Sequence, residues 1–159
     1  MQHYRITKYD PARRDLCGAF PSGDWTSRSD IGRVFNDVTL TEEQYVAVEN
    51  AYLKAAATFL KEAGVGELTI VGLENRAACT KAPSNGDLVL AEAMPTVLRS
   101  LLREEYWCKL EGASAFVHVG WDYYMYIGVP AKCPAAESVA RDLDLFVEQM
   151  RSPYAEDEA

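Results

Sequence analysis

The stretch from Thr41 to Gly64 constrains this chain more than any other. Thr41-Glu42-Glu43-Gln44 is a capping box, in which the threonine hydroxyl accepts from the Gln44 amide and the glutamine side chain reaches back. Glu42 and Glu43 suit the positive end of a helix dipole. Tyr45, Val48, Tyr52, Ala56, Phe59 and Ala63 then recur at three- and four-residue spacing, and Gly64 supplies the stop. A helix this long with one apolar face must be covered by the rest of the chain.

The other segments supply strands for that purpose. His3 to Tyr9 alternates, with Tyr4 and Ile6 on one side, and Asp10-Pro11 ends it. Glu67 to Leu73 is rich in apolar and β-branched residues. Tyr106–Glu111, Ser114–Gly120 and Asp122–Val129 read as three consecutive antiparallel strands joined by Gly112-Ala113 and Gly120-Trp121-Asp122. Asp87 to Glu104 carries Leu90, Met94, Val97, Leu98, Leu101 and Leu102 at helical spacing, with Pro95 marking a kink or a true start. A closing helix is expected from about Ala135, its stripe formed by Val139, Leu143, Phe146, Val147 and Met150. Ala12 to about Leu40 is a long polar connection containing Gly18, Pro21, Ser22, Gly23 and Gly32, with a short capped turn expected at Ser27-Arg28-Ser29-Asp30. The expected fold is α+β: a single domain over residues 1–153, with about five mainly antiparallel strands and three long helices packed on the sheet. Residues 154–159 form an acidic tail expected to be solvated.

With 159 residues, 48% of them apolar and 25% charged, the chain can bury one substantial core. Its net charge of −8 argues against a nucleic-acid grip or an anionic membrane surface as partner. The acidity is localised: residues 1–40 balance at +1, whereas residues 41–159 carry a balance of −9. No apolar run is long enough to span a bilayer, and Met1-Gln2-His3-Tyr4-Arg5 lacks the order of a signal peptide, so the expected compartment is the cytoplasm. Cys17, Cys79, Cys108 and Cys133 are widely spaced, with no CxxC and no histidine pair, and are expected as reduced thiols without a metal.

Motifs for chemistry are sparse. No GxGxxG or GxxxxGK[ST] cradle occurs, no nucleophile signature accompanies His3 or His118, and Glu42-Glu43 and Glu104-Glu105 are adjacent pairs whose carboxylates diverge on a helix. The residues therefore suggest no catalytic centre, no cofactor and no metal. One enzyme or ligand-binding alternative uses His118, oriented by Asp122 and Tyr124 across the hairpin, with Tyr126 on the same face. The hairpin is crowded with Trp121, Tyr123, Tyr124 and Tyr126. Alternation places Tyr123, Met125 and Ile127 in the core and leaves Tyr124 and Tyr126 beside Phe116 and His118 on a second face. Either the 12–40 loop covers that face with Trp25 as its plug, or a partner does. A homo-oligomer pairing its aromatic faces is a further alternative.

Three segments carry a resemblance: Tyr4-Arg-Ile-Thr-Lys-Tyr-Asp-Pro11, Trp25-Thr-Ser-Arg-Ser-Asp-Ile-Gly32, and Trp107–Glu111 with Phe116-Val-His-Val-Gly-Trp-Asp-Tyr-Tyr-Met-Tyr-Ile-Gly128. Together they resemble small bacterial proteins that act as cytoplasmic immunity proteins of polymorphic or contact-dependent growth inhibition toxin systems. The resemblance implies a non-enzymatic inhibitor that binds a cognate toxin domain, a nuclease, by occluding its basic surface; it brings no catalytic motif. On this reading Trp25 and Tyr124 are the expected aromatic anchors. Asp30, Glu111 and Asp122 are the expected partners of toxin Lys or Arg, although Asp30 also suits a helix start and the other two suit turns.

Overall fold

A computed structural model describes residues 1–20 and 23–156. The capped helix forms as expected: α1 runs Glu42–Glu62, with both capping-box hydrogen bonds made between Thr41 and Gln44. Gly64 adopts φ +70 just beyond its end, which lets the Val65 amide reach back to the Leu60 carbonyl. The other elements arrange themselves around α1. In chain order they are β1 (Gln2–Thr7), β2 (Val34–Phe35), β3 (Val38–Thr39), then after α1 β4 (Glu67–Glu74), β5 (Leu88–Leu90), α2 (Met94–Leu102), β6 (Trp107–Glu111), β7 (Phe116–Val119), β8 (Met125–Val129), α3 (Pro134–Asp142) and β9 (Phe146–Gln149).

Seven strands form one antiparallel sheet in the order β5-β4-β6-β7-β8-β1-β9, and β2 and β3 make a separate hairpin. The α+β class holds, with more strands than the pattern suggested. Three differences account for this. The helical spacing read over Asp87–Glu104 divides into the edge strand β5 and a helix that starts at Pro95's turn, so the proline sits at the first helical positions where its missing amide costs nothing. The expected closing helix stops at Asp142; Asp144 takes φ +60, the chain reverses, and Phe146–Gln149 pairs with the free edge of β1. Asn36 and Asp37, both at positive φ, close the β2–β3 hairpin inside the long connection.

The helices cover one sheet face. Tyr4, Ile6, Leu68, Ile70, Leu110, Val117, Met125 and Ile127 point into a core shared with Tyr52, Phe59 and Leu60 of α1 and Leu98 of α2. At its centre lies Glu49, a fully buried carboxylate on α1. Arg103 donates to both its oxygens (2.8 and 2.9 Å), Arg99 to one (3.1 Å) and the Tyr45 hydroxyl to the other (2.8 Å). Burial alone pushes this carboxyl up, and the donors from Arg103, Tyr45 and Arg99 more than reverse that, leaving it below its ordinary value.

Replacing Glu49 with Gln keeps the volume but strips the charge that three donors face, so stability is expected to fall by about 3 kcal/mol, read from the urea midpoint at unchanged m. Because the folded pKa is depressed, the stabilisation from Glu49 is complete above the ordinary 4.5 and is lost as pH falls through the lower folded value. The Glu49→Gln variant should therefore have a flatter acid limb than the parent.

Candidate partner-binding surface

Among the described residues, no α-helix covers the second face of the sheet. Two chain segments lie on it instead. From the long connection, Phe20 rests on Tyr9 (5.2 Å between centroids) and Tyr124 (6.1 Å), flanked by the guanidinium groups of Arg5 (5.5 Å) and Arg14 (5.0 Å). Glu148 of β9 neutralises both arginines. From the C-terminus, Tyr154 packs on Trp107, His118 and Tyr126 at 5.5, 6.2 and 6.3 Å. The expected solvated tail is thus a strap over the sheet at Tyr154; residues 157–159 lie outside the described residues, as do Pro21 and Ser22. Close approach is built in: a Cβ at Gly128 would lie 2.2 Å from the Phe116 ring.

His118 holds the strap. Its ring is fully buried and stacked on Phe116 at 4.3 Å. Nε2 lies 3.1 Å from the Glu111 carboxylate, which can only accept, so Nε2 carries the proton and Nδ1 accepts from the Ser152 hydroxyl at 2.8 Å. Ser152 in turn accepts from the Tyr154 amide at 3.2 Å, and Lys109 sits 3.2 Å from the same Glu111 oxygen. Hydroxyl, imidazole and carboxylate form one hydrogen-bonded chain, and the buried hydroxyl also accepts from the Tyr154 amide. Burial pushes the imidazole down to about 4, only partly countered by Glu111. Of the residues expected around this histidine, Tyr126 pairs with it across the strands, while Asp122 sits in the turn and offers its carbonyl to the Tyr9 hydroxyl at 2.7 Å.

That turn creates the most exposed aromatic feature. Asp122 and Tyr123 have φ +60 and +65, and the segment expected to begin a strand is a tight turn over Trp121–Tyr123. Tyr123 swings into the core, packed on Trp25, Tyr45 and Tyr52 at 5.1, 5.9 and 4.8 Å. Its carbonyl accepts from Tyr52 at 2.8 Å, and its hydroxyl donates to Tyr45 at 3.0 Å. Trp121 is left outside, 71% exposed. It borders a cleft of about 300 Å³ whose walls include Leu101, Tyr106, Trp107, Val119 and Tyr154. Glu74, Glu104 and Glu105 line it too, against one cation, Arg76. Glu104 and Glu105 follow α2 rather than continuing it; Glu104 has φ +58, which turns the chain away from the helix axis, and both residues line the cleft.

The residues expected at an interface are dispersed by the fold. Trp25 is buried against Tyr45 (5.4 Å) and Tyr123, with the Lys8 ammonium 4.0 Å from its ring. Asp30 is buried and caps its own turn, accepting from the Thr26 and Ser27 amides at 2.9 and 3.3 Å. Tyr124 is half-buried under Phe20, and Glu111 is engaged by His118 and Lys109; Asp122 is exposed. Trp25 therefore plugs the helix side of the sheet, whereas Phe20 lies on the side that Trp25 was expected to cover. The residues of the Trp121 cleft carry no sequence motif beyond an aromatic directly after Gly120 in a hairpin turn. No protein-family model, characterised protein or solved structure matches the chain.

The strap has a measurable pH signature. Between His118's ordinary 6.5 and its folded value of about 4, the unfolded chain binds a proton that the folded imidazole refuses, so stability should decline as pH falls through that window. The His118→Gln variant is expected to be less stable at pH 7 but to lose less of its melting temperature between pH 6.5 and 4. A decline as steep as the parent's would show that another group is titrating.

Proposed function

We propose that this chain is a non-enzymatic inhibitor of the immunity type, which neutralises a cognate toxin domain in the cytoplasm by occluding its basic, nucleic-acid-binding surface in a one-to-one complex. The observation that carries this reading is Trp121, a large aromatic exposed at the mouth of a cleft lined by three glutamates and one arginine. Burying an indole costs little conformational entropy and removes much apolar area from water, which is why Trp dominates binding hot spots. The surrounding acids add steering: nineteen of the twenty-four Asp and Glu residues lie after position 40, where the net balance is −9. Such a surface accelerates encounter with a basic partner and repels nucleic acid, the competitor for the same toxin surface. No helix among the described residues is long and apolar enough to cross a membrane, and all four cysteines are free thiols.

The segments that resemble immunity proteins build the frame of this surface. Tyr4–Pro11 contains most of β1 and the Tyr9 that pins the Asp122 carbonyl, Trp25 supports Tyr123 from beneath, and Trp107–Glu111 and Phe116–Gly128 supply β6, β7, the turn and most of β8.

If the product of the adjacent gene is the cognate toxin, co-expression with it should restore growth and yield a one-to-one complex on co-purification. Raising ionic strength from about 0.05 to 0.5 M should weaken that complex at least about tenfold, mainly through slower association. Growth rescue without a complex, or a complex indifferent to salt, would count against occlusion of a basic surface.

A further inference from the structure

We infer that the Trp121 cleft is an arginine acceptor: it takes the side chain of one arginine presented by an exposed segment of a basic partner protein. This inference rests on the inhibitor reading and names the group that the inhibitor grips.

A volume of about 300 Å³ stands at the lower limit of ligand pockets and suits a single long side chain. The apolar wall of Leu101 and Val119, with the Tyr106 ring, receives a methylene stem. At the mouth, the exposed indole of Trp121 offers a face to a planar cation. Glu104 and Glu105 line the cleft, and a guanidinium fork meets a single carboxylate, such as that of Glu105, with two parallel hydrogen bonds. An ammonium shares the charge but neither the plane nor the fork, so lysine is the poorer occupant. Trp107 is not available as a competing donor, because its Nε1 already donates to the Val119 carbonyl at 2.8 Å.

The resident charges engage these carboxylates only in part: Arg103, committed to Glu49, also feels the charge of Glu105. Arg76 pairs with Glu74 at 3.2 Å, and at 88% exposure the arginine is solvated, so the pair is weak and yields to an incoming guanidinium. Glu104 spends one oxygen on the Ser27 hydroxyl at 3.3 Å. With three glutamates to one arginine among its lining residues, the cleft carries a net negative charge complementary to a cation from a partner.

The probe is an acetylated, amidated tetra-arginine peptide, with the tetra-lysine peptide beside it, followed through the indole N–H signal of Trp121. The arginine peptide is expected to shift that signal saturably and to bind at least about threefold more tightly than the lysine peptide. Trp121→Ala and the double variant E104Q/E105Q are each expected to lose about tenfold in affinity, while E42Q/E43Q, which removes the same charge from the start of α1, changes it less than about twofold. Glu104→Gln alone keeps the test intact should the double variant fail to fold. An unmoved Trp121 signal, equal affinity for the two peptides, or an equal loss in E42Q/E43Q would overturn the acceptor. The complex with the toxin separates the two readings. If it forms and tolerates Trp121→Ala and E104Q/E105Q at parental affinity, the acceptor is wrong while the inhibitor stands. If the peptide behaves as expected but no toxin complex forms, the cleft stands and the inhibitor reading falls.

Discussion

The junction of α1 and α2 in this molecule is organised by one buried carboxylate. Glu49 sits inside α1, where a charge without partners would be prohibitively costly, and the chain meets it with donors from two other places. Arg99 and Arg103 come from α2 and its end, which fixes how α2 lies against α1. Tyr45 comes from one turn earlier in α1 and passes the network to Tyr123 through a hydroxyl pair. The polar chain therefore runs from the arginines through the core to the β7–β8 turn. Hydrophobic burial would tolerate several packings of α2 on α1; satisfying Glu49 selects one of them.

The turn at the end of that chain is strained and held on several sides. A tyrosine at φ +65 is an uncommon conformation, and it persists because its hydroxyl, carbonyl and ring are all engaged by neighbours. The Tyr9 hydroxyl secures the preceding carbonyl. With Tyr123 committed inward and the backbone fixed on both sides, Trp121 has nowhere to go but outward. Its exposure follows from the core rather than from loose local structure.

The parts of the fold that could be read in the sequence are those with local chemical signatures. The Thr41 capping box with Gly64, the Ser27–Asp30 cap and the alternation of Tyr4 and Ile6 each state their conformation within a few residues, and each forms as expected. The misreadings share a cause. Helices α2 and α3 both end at left-handed residues that are not glycine, Glu104 and Asp144, so neither carries the usual stop signal. Phe146 and Val147 extend an apolar stripe at helical spacing, yet tertiary pairing with β1 makes them a strand. The interface suffered similarly. Trp25, Asp30 and Tyr124 are chemically suited to a partner, and the fold uses each of them internally. Nothing in a linear pattern says which side of a sheet a distant loop will cover.

The same non-glycine helix stop explains how the cleft comes to be acidic. Had α2 continued, Glu104 and Glu105 would point about 100° apart around its axis. The left-handed turn at Glu104 instead folds the chain back through Tyr106 into β6, two strands from the turn that bears Trp121. Glu104 and Trp121, the residue just before the left-handed pair Asp122–Tyr123, line the same cavity. A solvated glutamate gains nothing for stability from such a conformation, and neither does an exposed tryptophan. An exposed indole beside glutamates on an apolar wall is what separates this cleft from the other acidic stretches of the molecule.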